Sequence, residues 1–189
     1  MTFHSIFARF TAAFEKIASR STVLSEMYAF PYREVVAREI SLANIRSGER
    51  VLNVGCGAVP FTAIHIARLT QARVLALDRD PDVVRSARAC IRRMNLEDRI
   101  EVELGDASEN VPEDFDAAIV ALQAEPKYEI FKKLQERCGS RTPLIFRAPS
   151  PSFKDRYDSL PDTLLHDAAI RQSMATFDRS LLYQAAAQG

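Results

Sequence analysis

This chain predicts an α/β fold with a doubly wound, mostly parallel sheet and an N-terminal helical extension, and three observations carry the prediction. Apolar runs of strand length alternate with helical patterns from Arg50 to Phe146. The first run, Val51-Leu52-Asn53-Val54, opens into a turn containing Gly55 and Gly57. The second run, Val74-Leu75-Ala76-Leu77, ends on a lone carboxylate, Asp78. A glycine turn followed about twenty residues later by an acid is the layout of a nucleoside-binding βαβ unit.

Each element has its own signal. Phe3, Ile6, Phe7, Phe10, Ala13, Phe14 and Ile17 fall on one face of a helix. That face either packs on the main domain, caps a ligand or forms a contact in a homodimer. Pro31 marks the start of a second helix through Val35, Val36, Ile40 and Leu42. Strand one is Arg50 to Val54. Pro60 suits the first turn of the next helix, where its missing N–H has no partner to lose. Strand two is Arg73 to Leu77, and Asp80-Pro81 opens a helix carrying Val83, Val84, Ala87, Ile91 and Met94. Strand three is Ile100 to Leu104 and strand four Phe115 to Ala121. A helix from Pro126 to Cys138 precedes strand five, Thr142 to Phe146. Leu164 to Ile170 reads as helical. Met174–Phe177 and Ser180–Gln184 read as a hairpin around Asp178-Arg179.

Composition narrows the class. At 189 residues, with 47% apolar and 26% charged residues, the chain suits one well-buried domain. We divide it into a helical cap over 1–48 and a ligand-binding α/β domain over 49–189. Zero net charge gives no bulk attraction to nucleic acid or an anionic membrane, so neither partner is expected. Cys56, Cys90 and Cys138 are widely spaced, without a CxxC pair, so no disulfide framework or metal site is expected. No apolar run reaches membrane-span length, and Arg9, Glu15, Lys16 and Arg20 interrupt any signal-peptide pattern. These features predict a cytoplasmic protein.

The ligand site follows from the same residues. Gly55 and Gly57 let the backbone turn sharply and bring N–H groups close to a ligand. The helix behind them offers free N–H groups and a positive dipole end. Pro60 stands where a dinucleotide motif carries its third glycine, which argues against a nicotinamide or flavin. A ligand whose anionic group is a carboxylate fits better. Asp78 is spaced to accept from ribose hydroxyls. Asp106, after strand three, is placed for an adenine edge, and Ala107 for a ring nitrogen. Read blandly, both acids are helix caps or turn residues.

With these residues in view, Val51 to Ala121 resembles the S-adenosylmethionine-binding core of the class I methyltransferase superfamily. Gly55-Cys56-Gly57, Asp78-Arg79, Gly105-Asp106-Ala107 and Phe115 to Ala121 match its motifs. The resemblance implies S-adenosylmethionine as co-substrate. Gly55 and Gly57 would adjoin its methionyl part, Asp78 would bind ribose, Asp106 and Ala107 would lie near adenine, and Cys56, Pro60, Arg79 and Ala121 would complete the set that binds the donor. A narrower resemblance is to nicotianamine synthase-like proteins, which move the aminocarboxypropyl group of that donor. Their GxGxxPxT turn is matched by Gly55-Cys56-Gly57-Ala58-Val59-Pro60-Phe61-Thr62. Their FPY segment and following helix are matched by Phe30-Pro31-Tyr32 and Arg38-Glu39, where the family has Leu-Glu. Their Leu-Arg-Ser-Ala after strand five is close to Phe146-Arg147-Ala148. The resemblance implies a small amine or amino acid as acceptor. Glu39 would be its base or orienter, Tyr32 a catalytic group lining its pocket, and Thr62 and Arg147 substrate-binding groups. Glu39 as a solvated helix residue and Arg147 as a surface ion-pair partner are the bland alternatives. The competing functions are a small-molecule methyltransferase and a non-catalytic nucleoside-binding or scaffolding protein.

Overall fold

The computed structural model describes residues 22–139 and 141–184, without the side chains of 22–31. The helix expected over Phe3 to Ala18, and the dimer contact sought there, lie outside the described residues.

Helix α1 (Thr22–Ala43) comes first, followed by β1 (Arg50–Val54), α2 (Phe61–Thr70) and β2 (Arg73–Asp78). Next come α3 (Pro81–Arg93), β3 (Ile100–Leu104), β4 (Ala117–Val120), α4 (Lys127–Arg137) and β5 (Pro143–Pro149). A short 3-10 turn (Pro151–Phe153), β6 (Ala168–Arg171) and β7 (Phe177–Gln184) complete the described chain. The seven strands form one sheet in the order β3-β2-β1-β4-β5-β7-β6. The first five are parallel, while β7 is antiparallel to β5 and β6 to β7. The order reverses between β1 and β4, and ligands of open α/β sheets bind at such a switch point, beyond the strand carboxyl ends.

Strand parity sorts side chains between two cores. Val51 of β1, Ile119 of β4 and Ile145 of β5 pack with Val36, Ile64, Ile66, Val84 and Ile91 beneath α1, α2 and α3. The alternate residues Leu52, Val120, Leu144 and Phe146 meet Ile130, Phe131 and Leu134 of α4. Arg147 has the parity of Ile145, so it points to the α1–α2 side. That single step of the pleat decides what the site contains.

Three element expectations are corrected. Helix α1 does not start at Pro31 but runs through it from Thr22. Proline removes one N–H, yet its fixed φ is helical, and the helix-forming flank of Glu26, Met27 and Ala29 carries the turn past it. The helix expected over Leu164 to Ile170 is absent; β6 occupies its end, with Ala169 opposite Leu181 and Ile170 opposite Ser180. A short apolar run fits either period, and pairing with β7 selects the strand. Asp178 and Arg179 are not a turn but lie inside β7, and the chain reverses earlier, between Arg171 and Phe177. They lack the glycine or asparagine that a two-residue hairpin favours.

Candidate active site

The carboxyl ends of β1, β2 and β3 form one side of the site. Gly55 and Gly57 have φ values of +72° and +73°, a region other residues enter at a cost. A Cβ on Gly55 would press on Ala124 and Ala121 at 3.2 and 3.3 Å, whereas one on Gly57 would meet open space. Gly57 therefore leaves backbone exposed where a ligand can approach. Its N–H donates to Asp78 Oδ2 at 3.0 Å, and the N–H of Asp80 donates to Oδ1 at 3.2 Å. Asp78 thus locks the glycine turn against the end of β2. Asp80 caps α3, accepting from Asp82 and Val83, so Asp80 and not Asp78 fills the cap role. Asp106 Oδ1 accepts from both the N–H and the hydroxyl of Ser108, at 2.9 and 2.6 Å. Those bonds outweigh burial and hold its carboxyl below the usual carboxylate range. A cleft lined by Arg79, Asp80, Pro81, Leu104, Gly105, Asp106 and Glu109 runs between these ends.

Arg79 reaches across the end of β1. Its guanidinium donates to the Glu125 carbonyl at 3.0 Å and pairs with that residue's carboxylate at 3.4 Å. Both side chains are 55% exposed, so the pair adds little to stability. Cys56 is buried within the turn. Burial, reinforced by the negative charge of Asp78, pushes its thiol up to about 12. It is neutral at ordinary pH and unsuited to nucleophilic attack.

The other side of the site is a buried polar cluster drawn from α1, α2, β5 and β7. Arg147 Nε donates to Glu39 Oε1 at 2.8 Å and Nη2 to Oε2 at 2.7 Å, a two-pronged pair with both residues at most 1% exposed. Nη2 also donates to Thr62 Oγ1 at 3.0 Å, and Nη1 to the Tyr32 hydroxyl at 3.1 Å. The guanidinium carbon lies 5.2 Å from the Tyr32 ring centre and 5.4 Å from that of Phe177. Burial opposes the charge of Arg147, but Glu39 and Tyr32 overcome it and keep the guanidinium above its usual pKa. Ser180, opposite Arg147 in the β5–β7 register, donates to Glu39 Oε1 at 2.7 Å. Gln172 donates in turn to Ser180 at 3.0 Å.

The structure therefore brings Tyr32, Glu39, Thr62 and Arg147 together, and gathers Gly55, Cys56, Gly57, Asp78 and Arg79 at the neighbouring strand ends. Pro60 precedes α2, its carbonyl accepting from Ile64 at 3.0 Å. Ala107 and Ala121 are buried at the ends of β3 and β4. Glu39 is buried, so the reading of it as a solvated helix residue does not hold, and Arg147 is no surface ion-pair partner: its fork closes on Glu39 in the interior. Ser180, Gln172 and Lys127 were not singled out in the sequence. Ser180 could have been found only from the β5–β7 register. The buried position of Lys127 has no local signal.

Residues 45–140 match the family described as a methyltransferase domain, and the chain belongs to that family. Among curated proteins it is similar to an L-histidine 2-aminobutanoyltransferase of Yersinia pestis, 28% identical over 120 residues, or 64% of this chain and 45% of that one. Among solved structures it resembles MtNAS in complex with MTA and tNA, with a TM-score of 0.74 and 25% identity over 84% of this chain and 62% of that one. A glutamate-to-glutamine variant of MtNAS in complex with S-adenosylmethionine superposes with a TM-score of 0.80 at 22% identity, covering 96% of this chain and 76% of that one. That likeness establishes the class I methyltransferase fold. The chain spans about half the length of the curated relative. Among the described residues, no helix is long and apolar enough to cross a membrane, and no cluster of His, Cys, Asp and Glu could hold a metal ion.

Proposed function

We propose that this protein is an S-adenosylmethionine-dependent transferase that moves an aminocarboxypropyl group to a small amine or amino acid. One observation carries the reading: the Tyr32–Glu39–Thr62–Arg147 cluster stands beside a nucleoside-type glycine turn. The similarity to a 2-aminobutanoyltransferase and to MtNAS supports the same choice.

The residues present suit the donor. Gly57 would leave room for its methionyl part, Asp78 would accept from ribose, and Asp106 keeps a second carboxylate oxygen for the adenine edge. Bound there, S-adenosylmethionine supplies a sulfonium whose attached carbons are open to a neutral amine. The protein's part is alignment and shielding, since such displacements ask little covalent help of it. Tyr32 is the group assigned to touch the acceptor. Its oxygen accepts from Arg147, which leaves its own hydrogen for an acceptor amine or carboxylate. Glu39 and Arg147 are positioning residues: Glu39 neutralises and orients the guanidinium, and the guanidinium fixes the phenol. The acceptor must arrive as a neutral amine, which favours reaction at alkaline pH. Three buried free thiols suit a reducing compartment, consistent with a cytoplasmic location.

Membership of the methyltransferase-domain family favours a second reading, methyl transfer on the same site. Incubation with S-adenosylmethionine and a panel of amino acids and amines, followed by mass spectrometry of the nucleoside, separates the two. Methylthioadenosine is the expected product. S-adenosylhomocysteine would replace this proposal with methyl transfer, and donor binding without turnover would leave a nucleoside-binding protein.

A further inference from the structure

Lys127 is a charged side chain that the proposed reaction leaves unused. It is 1% exposed, and an ammonium so deep requires acceptors in place of its lost water. Nζ donates to the Leu122 carbonyl at 2.6 Å and to the Ala124 carbonyl at 3.0 Å. Both carbonyls belong to the turn joining β4 to α4. The backbone N–H of Lys127 is itself anchored, donating to Asp158 Oδ2 at 2.6 Å. The turn that the ammonium gathers in rests on the site. Ala121 and Ala124 are the residues on which a Cβ at Gly55 would press. Leu122 packs with Val35 of α1 and Phe177 of β7, at the edge of the Tyr32–Arg147 cluster. One buried cation thus fixes the wall between the glycine turn and the acceptor side.

Sheet order says which part of the donor meets that wall. β4 flanks β1 on the side away from β2 and β3. Asp78 ends β2 and Asp106 follows β3, so the groups assigned to ribose and adenine lie on that far side. We propose that Lys127 is a positioning residue for the amino-acid arm of the donor, acting through the Leu122–Ala124 turn and not by contact. This rests on the donor site proposed above.

The test compares two ligands that differ in that arm. S-adenosylhomocysteine carries it and methylthioadenosine lacks it. Their dissociation constants are measured by calorimetry for the wild type, Lys127→Met and Lys127→Gln. Lys127→Met should weaken S-adenosylhomocysteine about tenfold and methylthioadenosine less than twofold. Lys127→Gln, which keeps a donor for one of the two carbonyls, should fall between and carries the comparison if the methionine variant does not fold. Equal weakening of both ligands, or none, overturns the assignment, because a general loss of structure does not discriminate between them. If the wild type binds neither nucleoside, the donor site itself is wrong and the role of Lys127 falls with it.

Discussion

Cys56 sits inside the glycine turn, where a reactive thiol would be conspicuous, yet its surroundings silence it. Burial removes water from any thiolate, and Asp78 adds a like charge; together they push the thiol up to about 12. Near pH 7.5 fewer than about one molecule in a thousand carries the thiolate at any moment. Iodoacetamide should therefore leave Cys56 unmodified in the folded protein at that pH, as read by peptide mass spectrometry, and modify it once urea is added. Rapid native labelling would show that the turn opens or that its charge balance differs. Much of this residue-scale chemistry was legible in the sequence. Gly55, Gly57 and Asp78 announce themselves because a turn and a strand end are local features. The pairing of Glu39 with Arg147 is not legible there: the two are separated by 108 positions, and only the fold pairs them.

At the scale of elements, that pair is the bolt between α1 and the sheet. α1 packs on α2 and reaches β5, β6 and β7, and Glu39 supplies a buried charge there, beside hydrogen bonds made by Tyr32, Val35 and Arg38. Removing one partner leaves the other charged and buried, which typically costs about 3–5 kcal/mol. Glu39→Ala and Arg147→Ala should each lose that much stability in urea unfolding. The double replacement Glu39→Leu with Arg147→Met should recover most of it, because no orphan charge remains. A double variant as unstable as the two singles summed would mean that the pair is not coupled. The strands that carry these residues were readable from apolar runs, and β1 and β3 have the bounds the sequence implied. The antiparallel edge is misplaced because Leu164 to Ile170 is too short for periodicity to separate helix from strand, and because Asp178-Arg179 resembles a turn yet lies inside β7. Their pairing partners are long-range, and so is the information that fixes them.

The whole molecule shares one sheet between two cores, so the charge state of one buried group registers in global stability. Lys127 is that group. Burial lowers its pKa from 10.5 to about 8, with Asp158 and Glu125 pulling only partly the other way. Below pH 8 both folded and unfolded chains carry the proton. Between pH 8 and 10.5 the unfolded chain holds it and the folded chain releases it. The unfolded state then binds more protons, so stability from this group rises with pH across that window and is flat on either side. Measured against Lys127→Met, which cancels every other titration, the wild type should gain on the order of 2 kcal/mol between pH 7 and pH 10. Urea midpoints for the two proteins at both pH values give the comparison. A constant difference would place the ammonium in a wetter setting than its 1% exposure implies. A difference that grows in the opposite direction would mean that the Leu122 and Ala124 carbonyls stabilise the cation by more than burial penalises it.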